Sequence, residues 1–391
     1  MNEAVNGAPR GRRPAARETI LDAIRTAEPL SRVELSAITG LTEASVSTTV
    51  RRLLDEGLVV ETGRTPTGGK PRTMLRLDPA ARIAVGVHLD DDVTTYVLTG
   101  QTGGIISRMN RPAPDGTDHD AVLRRLVADI GGLVDGSGID RARCLGIGLV
   151  RAGPPRPPGG RGDDLDRRLA GATGWPVLLE NDATAAAVGE YWVARVEATR
   201  PFAALYMGSG LGAGIVLDGA ALRGRHANAG EFGHLCLLVD GPPCWCGSRG
   251  CLEAIAGPQV VVEAALADPV AAGEAGLDHG ERRSTVAGFA AVARAARAGA
   301  PACRRLLEHS ARYVAAAAES VVNLLDVDLL VLTGPGFATA SFVYGPAITD
   351  RLAAADARTW HRSVSVTVSL AAATASATGA AALVLQSALR G

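Results

Sequence analysis

The sequence predicts an α/β chain in two parts, an N-terminal winged helix-turn-helix and a larger domain of alternating strands and helices. Three observations predict it. Short capped helices and two strand-like runs succeed one another between residues 17 and 78. From residue 82 onward, apolar runs of strand character alternate with alanine-rich stretches of helical character, without an internal sequence repeat. At 391 residues, 47% hydrophobic and 21% charged, the chain is long and apolar enough to bury more than one core.

Residues 1–16, rich in Asn, Gly, Pro and Arg and lacking apolar periodicity, read as a flexible basic tail. Ile20, Leu21 and Ile24 then mark one face of a first helix that ends near Ala27, because Pro29 cannot continue it. Ser31-Arg32-Val33-Glu34 has the form of a capping box opening a second helix, which Gly40 closes. Thr42 caps a third helix running to Glu56. At about 100° per residue, Val46, Val50, Leu53 and Leu54 share its inner side, and Ala44, Ser45, Thr48, Arg51 and Arg52 its outer side. Residues 58–62 and 73–77 read as two strands, joined by a loop that ends in Gly68-Gly69-Lys70-Pro71-Arg72, which makes a wing.

The net charge is −1, so only its distribution is informative. Residues 1–80 hold 12 Lys/Arg against 10 Asp/Glu, with basic islands at Arg10, Arg12, Arg13 and Arg17, at Arg51 and Arg52, and at Arg64, Lys70, Arg72 and Arg76. Islands of this kind can follow phosphates on double-stranded DNA. Ser45, Thr48, Arg51 and Arg52 suit a helix in the major groove, and Lys70 and Arg72, either side of Pro71, suit a wing in the minor groove. The alternatives are a protein-interaction helix and a solvated hairpin tip.

In the second part, strands are expected at residues 83–87, 144–150, 177–179, 203–206 and 329–332, and an exposed loop at residues 153–162. Neither a leader-like apolar run nor a membrane-length apolar segment is evident, so a cytoplasmic protein without membrane contact is expected.

His234, Cys244-Trp245-Cys246 and Cys251 offer an imidazole and three thiolates, the ligand set of a closed, structural zinc site. Gly241, Gly247 and Gly250 stand where a chain wrapping one ion needs tight turns. The other cysteines, Cys144, Cys236 and Cys303, are scattered, which favours metal over disulfides; the alternative is a set of reduced structural thiols. Glu180-Asn181-Asp182, Asn228, Glu231 and Glu253 surround this motif with acids and amides that suit a polyhydroxylated ligand, or serve as caps and surface ion pairs. The glycine-rich residues 208–214 after a strand fit either a phosphate cradle or a tight hairpin.

Leu179-Glu-Asn-Asp-Ala183, the glycines of residues 208–214, Glu231-Phe-Gly-His234 and Gly241-Pro-Pro-Cys-Trp-Cys-Gly-Ser-Arg-Gly-Cys-Leu-Glu253 together resemble the ROK family of repressors, open reading frames and kinases. The resemblance is to its xylose-repressor and N-acetylglucosamine-repressor branch and runs from about Arg17 to the C-terminus. It implies that residues 82–391 form a two-lobed, actin-like, ribonuclease-H-like domain of sugar-kinase type, with sugar in the cleft and the zinc loop at residues 234–251. It further implies that Asn181, Asp182, Glu231, His234 and Glu253 bind sugar, that Asp182 occupies the position of the kinase base, and that His234 serves metal and sugar together.

Two segments depart from the family kinases. Their Asp-x-Gly-x-Thr phosphate loop is replaced by His88-Leu89-Asp90-Asp91-Asp92, whose carboxylates would repel ATP, so no kinase activity is expected. Their Gly-x-Pro-Gly-Pro turn is replaced by Gly148-Leu-Val-Arg-Ala-Gly-Pro154, where Arg151 or Arg156 would meet an anionic ligand group or solvent. The expectation is a DNA-binding transcriptional regulator, a repressor of carbohydrate metabolism, that binds its operator as a homodimer or homotetramer and answers to a sugar or sugar derivative. The alternatives are a bifunctional sugar kinase with a DNA-binding arm and a regulator controlled by a partner protein.

Overall fold

The computed structural model describes residues 16–65, 71–90, 92–113, 118–151, 164–193, 200–278, 280, 283–355 and 363–389. The expected basic tail, Gly68-Gly69-Lys70 of the wing, Asp91, and the loop at residues 153–162 with Arg156 lie outside them. The chain divides into two compact units, one of Met1–Ala81 with Gln386–Gly391 and one of Arg82–Leu385.

The first unit contains α1 (Ala16–Ala27), β1 (Leu30–Ser31), α2 (Arg32–Thr39), α3 (Glu43–Asp55), β2 (Val59–Thr65) and β3 (Arg72–Leu77). The capping box is present: the Ser31 hydroxyl accepts from the Glu34 N–H, and the Glu34 carboxylate accepts from the Ser31 N–H at 2.7 Å. Gly40 ends α2 in the left-handed conformation at φ 67°, and the Thr42 hydroxyl caps α3 by accepting from the Ser45 N–H at 3.2 Å. Ile20, Ile24, Leu35, Val46, Val50, Leu53 and Leu75 are fully buried in one core. The sheet order is β1-β3-β2, and β2 extends three residues beyond the expected end because cross-strand pairing continues from Val59↔Leu77 to Thr65↔Arg72. The register shifts by one residue between Glu61, which pairs with Leu75, and Gly63, which pairs with Met74.

The second unit begins with β4 (Ile83–Leu89), β5 (Val93–Gly100), β6 (Ile105–Pro112), α4 (His119–Gly136), β7 (Cys144–Arg151), α5 (Leu165–Thr173), β8 (Val177–Asn181) and α6 (Asp182–Val193). It continues with β9 (Phe202–Met207), β10 (Leu211–Leu217), β11 (Ala220–Ala221), α7 (Leu252–Ala256), α8 (Pro258–Ala267), α9 (Pro269–Ala275), α10 (Thr285–Arg297) and α11 (Pro301–Leu325). β12 (Leu329–Thr333), α12 (Gly334–Ala355), β13 (Ser365–Val368) and α13 (Ala375–Leu389), which belongs to this unit as far as Leu385, complete it.

Its two sheets are ordered β6-β5-β4-β7-β8 and β11-β10-β9-β12-β13. Each is an antiparallel meander of three strands with two parallel strands added beside the first. The topology therefore repeats where the sequence does not, which is the two-lobed architecture that the resemblance implies. α6 and α13 pack with residues of both sheets: Ala187, Val188, Tyr191, Ala381 and Val384 share a cluster with Ala84 of β4 and Ala204 and Val331 of the other sheet. Their alanine and glycine content follows from this place. A β-carbon on Gly379 would overlap the Ala185 carbonyl, and one on Gly86 the Ala377 carbonyl. Helices α8, α10, α11 and α12 bury the outer side of the second sheet in the largest core. Among the described residues no single helix is long and apolar enough to cross a membrane.

Candidate functional site

His234, Cys244, Cys246 and Cys251 come together although the first and last are seventeen positions apart, each offering an atom within 4.8 Å of the others. His234 closes a short 3-10 turn (Phe232–His234), and Cys251 sits immediately before α7. Glycines at positive φ, Gly247 and Gly250, turn the chain between the cysteines. Four ligands around one zinc, at about 2.3 Å for sulfur and about 2.0 Å for nitrogen, stand about 3.8 Å apart sulfur to sulfur and about 3.6 Å sulfur to nitrogen. Here Cys246 Sγ lies 3.7 Å from Cys251 Sγ, and Cys244 Sγ 3.6 Å from His234 Nδ1. The donor set thus fits a tetrahedral metal, with Nδ1 on the metal side. Burial and then the neighbouring thiols Cys246 and Cys244 push the Cys251 thiol up to about 12, so without a cation beside it this thiol keeps its proton.

The other ring nitrogen of His234, Nε2, lies 3.9 Å from a Glu231 carboxylate oxygen, and both residues border a cavity of about 200 Å³. Asn181, Asp182, Glu231, His234 and Glu253 all line that cavity. β8 ends on Asn181 and α6 opens on Asp182. Asn181 Oδ1 also accepts from the N–H groups of Ala183 and Thr184 at 2.9 and 3.1 Å, so this residue caps α6 while it lines the cavity. Glu180 is different: it is buried away from the cavity in a two-pronged ion pair with Arg223, at 2.8 and 2.7 Å. The glycine-rich residues form the turn of the β9–β10 hairpin, where Gly208 N–H donates to the Gly210 carbonyl at 3.1 Å, and Ser209, Gly210 and Gly212 line the cavity. Tyr206, Ser209 and Trp245 also line it, and sequence reasoning assigned none of them. The signal for Trp245 was its place between two cysteines of this cluster.

Burial pushes the Asp182 carboxyl up to about 7; the Ala183 N–H opposes the rise and the charges of Asp90 and Glu231 add to it. A carboxyl free in the unfolded chain titrates near about 3.9. The folded value is raised, so the contribution of Asp182 is fully present below the unfolded value and is lost as pH rises through about 7. Asp182→Asn is therefore expected to raise stability relative to wild type by up to roughly 2–3 kcal/mol more at pH 8 than at pH 5. Thermal melts of both proteins at the two pH values check this; an equal difference at both would overturn it.

His88, on β4, is buried, and burial pushes it down to about 4, so it is uncharged at neutral pH. Its ring meets Tyr206 edge-on at 6.5 Å. Asp90 follows the strand and acts on Asp182 through its charge.

In the first unit, Thr48, Arg51 and Arg52 are exposed on α3, and Arg72 is exposed at the start of β3. Ser45 is half-buried in the first turn, where its N–H is taken by the Thr42 cap. Lys70 lies outside the described residues.

Residues 151–387 match the ROK family profile, and residues 19–70 match that of the MarR family. The chain belongs to the ROK family. The ROK domain of this protein is thus preceded by a MarR-type helix-turn-helix. A putative xylose repressor of a Caldicellulosiruptor species is 28% identical over 254 residues, 62% of this chain and 64% of the relative. A glucokinase of Thermotoga maritima is 34% identical over 182 residues, 44% of this chain and 56% of the relative. The match thus spans somewhat less than two thirds of the length of these curated relatives. A solved ROK family transcriptional regulator, described as a homolog of the E. coli MLC protein, is 25% identical with a TM-score of 0.73, covering 95% of this chain and 96% of its own.

Proposed function

We propose that the chain is a sugar-responsive transcriptional regulator, a repressor of carbohydrate metabolism that binds a double-stranded operator through residues 17–78 and senses a sugar or sugar derivative through residues 82–391. The observation that carries this reading is the pairing, in one ROK chain, of a MarR-type helix-turn-helix with a cavity lined by Asn181, Asp182, Glu231, His234 and Glu253. Carboxylates and an amide accept from hydroxyls, and the His234 imidazole presents its second nitrogen to the same space. His234, Cys244, Cys246 and Cys251 would hold one structural zinc, which leaves no open coordination position for catalysis. Bound there, zinc would supply rigidity to the loop that carries His234 and fix its tautomer.

A neutral His88 followed by Asp90 and Asp92 supports the absence of kinase activity, since the position offers neither a cation-binding carboxylate on the strand nor a neutral cradle for phosphates. The similarity to a glucokinase favours a second reading, a kinase with a DNA-binding arm. ATP consumption in the presence of D-glucose or D-xylose would establish it. We place the regulator in the cytoplasm, on DNA as a homodimer or homotetramer, because symmetric protomers pair two half-sites.

The test uses an operator selected from random duplexes by the wild-type protein. Arg51→Ala with Arg52→Ala is expected to weaken binding about a hundredfold at fixed salt and to flatten the salt dependence. Unchanged binding in this double variant would remove α3 as the reading helix.

A further inference from the structure

We propose that Trp245 is the specificity-determining wall of this cavity, taking the apolar C–H face of a pyranose on its indole while its N–H fixes Glu253 for a pair of sugar hydroxyls. The inference rests on the sugar-sensing reading and narrows it to cyclic sugars that carry neighbouring hydroxyls beside one apolar face.

Trp245 lines the cavity and is 74% exposed, whereas Trp192 is buried and Trp175 half-buried. An exposed indole is a large apolar surface left to water unless something covers it. This one is held at its edge and at its N–H while most of its surface stays open. Its neighbours in the chain are Cys244 and Cys246, its ring meets that of His234 edge-on at 4.7 Å and 79°, and its Nε1–H donates to Glu253 Oε1 at 2.8 Å. A side chain so fixed loses little freedom when a ligand arrives, which is what gives an aromatic wall its affinity and selectivity.

Glu253 is held from both sides. Its Oε2 accepts from the Leu211 N–H at 2.9 Å, and Oε1 accepts from Trp245. Gly210 and Gly233 leave it room, since a β-carbon on either would meet Oε2. Each carboxylate oxygen has two acceptor positions, so one N–H on each leaves one free on each, spaced for two adjacent hydroxyls. The indole N–H ties this ring to the acceptor pair, so stacking and hydrogen bonding would be offered to the same small ring.

The experiment titrates D-xylose, D-glucose and the acyclic polyol xylitol into wild type, W245F and W245A, by calorimetry and by indole emission. Xylitol carries the hydroxyls without the ring face. Wild type is expected to bind a cyclic probe and not xylitol, with an emission shift that W245F lacks. W245F, which keeps a ring and loses the N–H, is expected to bind about tenfold more weakly, and W245A about a hundredfold. Zinc content and operator affinity should stay at wild-type levels in W245F, which serves if W245A perturbs the loop. Equal affinities in all three proteins, or xylitol binding as tightly as the sugars, would overturn the role of Trp245 and leave the sugar-sensing reading intact. Wild type that binds neither D-xylose nor D-glucose would overturn both.

Discussion

Cys246→Ser is expected to cost the chain its metal and, with it, most of the order of residues 234–253. Cys246 is exposed, so replacing its sulfur by oxygen opens no cavity and removes no core contact; whatever stability is lost reports the metal. Structural zinc in small sites contributes on the order of 10 kcal/mol of apparent binding free energy, because the ligand cluster scarcely exists in the unfolded chain. In this unit most core residues lie elsewhere, so the loss is expected to be several kcal/mol, read as a fall in Tm of the second unit. Chelation of the wild type should give the same fall, and the variant should be indifferent to the chelator. Elemental analysis then decides: about one zinc per chain in the wild type and none in Cys246→Ser. A variant that keeps its zinc, or a metal-free wild type of undiminished Tm, would end the zinc assignment.

What could be read in the sequence was what is settled locally. The capping box of Ser31 and Glu34, the left-handed Gly40 and the Thr42 cap each depend on residues three or four apart, and all three stand where expected. The clustering of His234 with Cys244, Cys246 and Cys251 was legible because their donors are spaced along one short segment. Contacts set by tertiary structure were not. The pairing of Glu180 with Arg223 joins residues 43 apart, so Glu180 read as part of the polar site when it anchors a neighbouring segment instead. The repeated order of the two sheets has no counterpart in residue identity, because topology constrains apolar pattern and not sequence. The alanine and glycine content of α6 and α13 suggested helices but not that two of them share a core cluster with strands of both sheets, where larger side chains would collide with backbone carbonyls. Trp245 owes its place at the cavity to the fold of the segment that gathers Cys244, Cys246 and Cys251, which sequence spacing alone does not specify.

Asp182→Asn is expected to separate sensing from DNA binding. The substitution keeps the shape of a residue that opens α6, and the amide oxygen can still accept from the Ala183 N–H, so the fold around it should survive. No ligand of the metal cluster and no residue of α3 is touched. What changes is a carboxylate that would accept from sugar hydroxyls, and whose ionised form strengthens as pH passes about 7. Loss of a hydrogen bond to a charged group weakens sugar binding by about ten- to a hundredfold. Thermal melts at the pH of the binding assay separate this outcome from unfolding, because a variant whose Tm matches or exceeds that of wild type cannot have lost its response through loss of the fold. A response requires that sugar bind the two states of different operator affinity unequally; a variant that hardly binds sugar has no differential affinity to spend, and operator binding should then be the same with and without it. Measured by operator titration across sugar concentration, wild-type affinity for DNA together with a lost or strongly right-shifted response supports the cavity as the sensor. A wild-type concentration dependence in Asp182→Asn would place sensing elsewhere, and control by a partner protein would take its place.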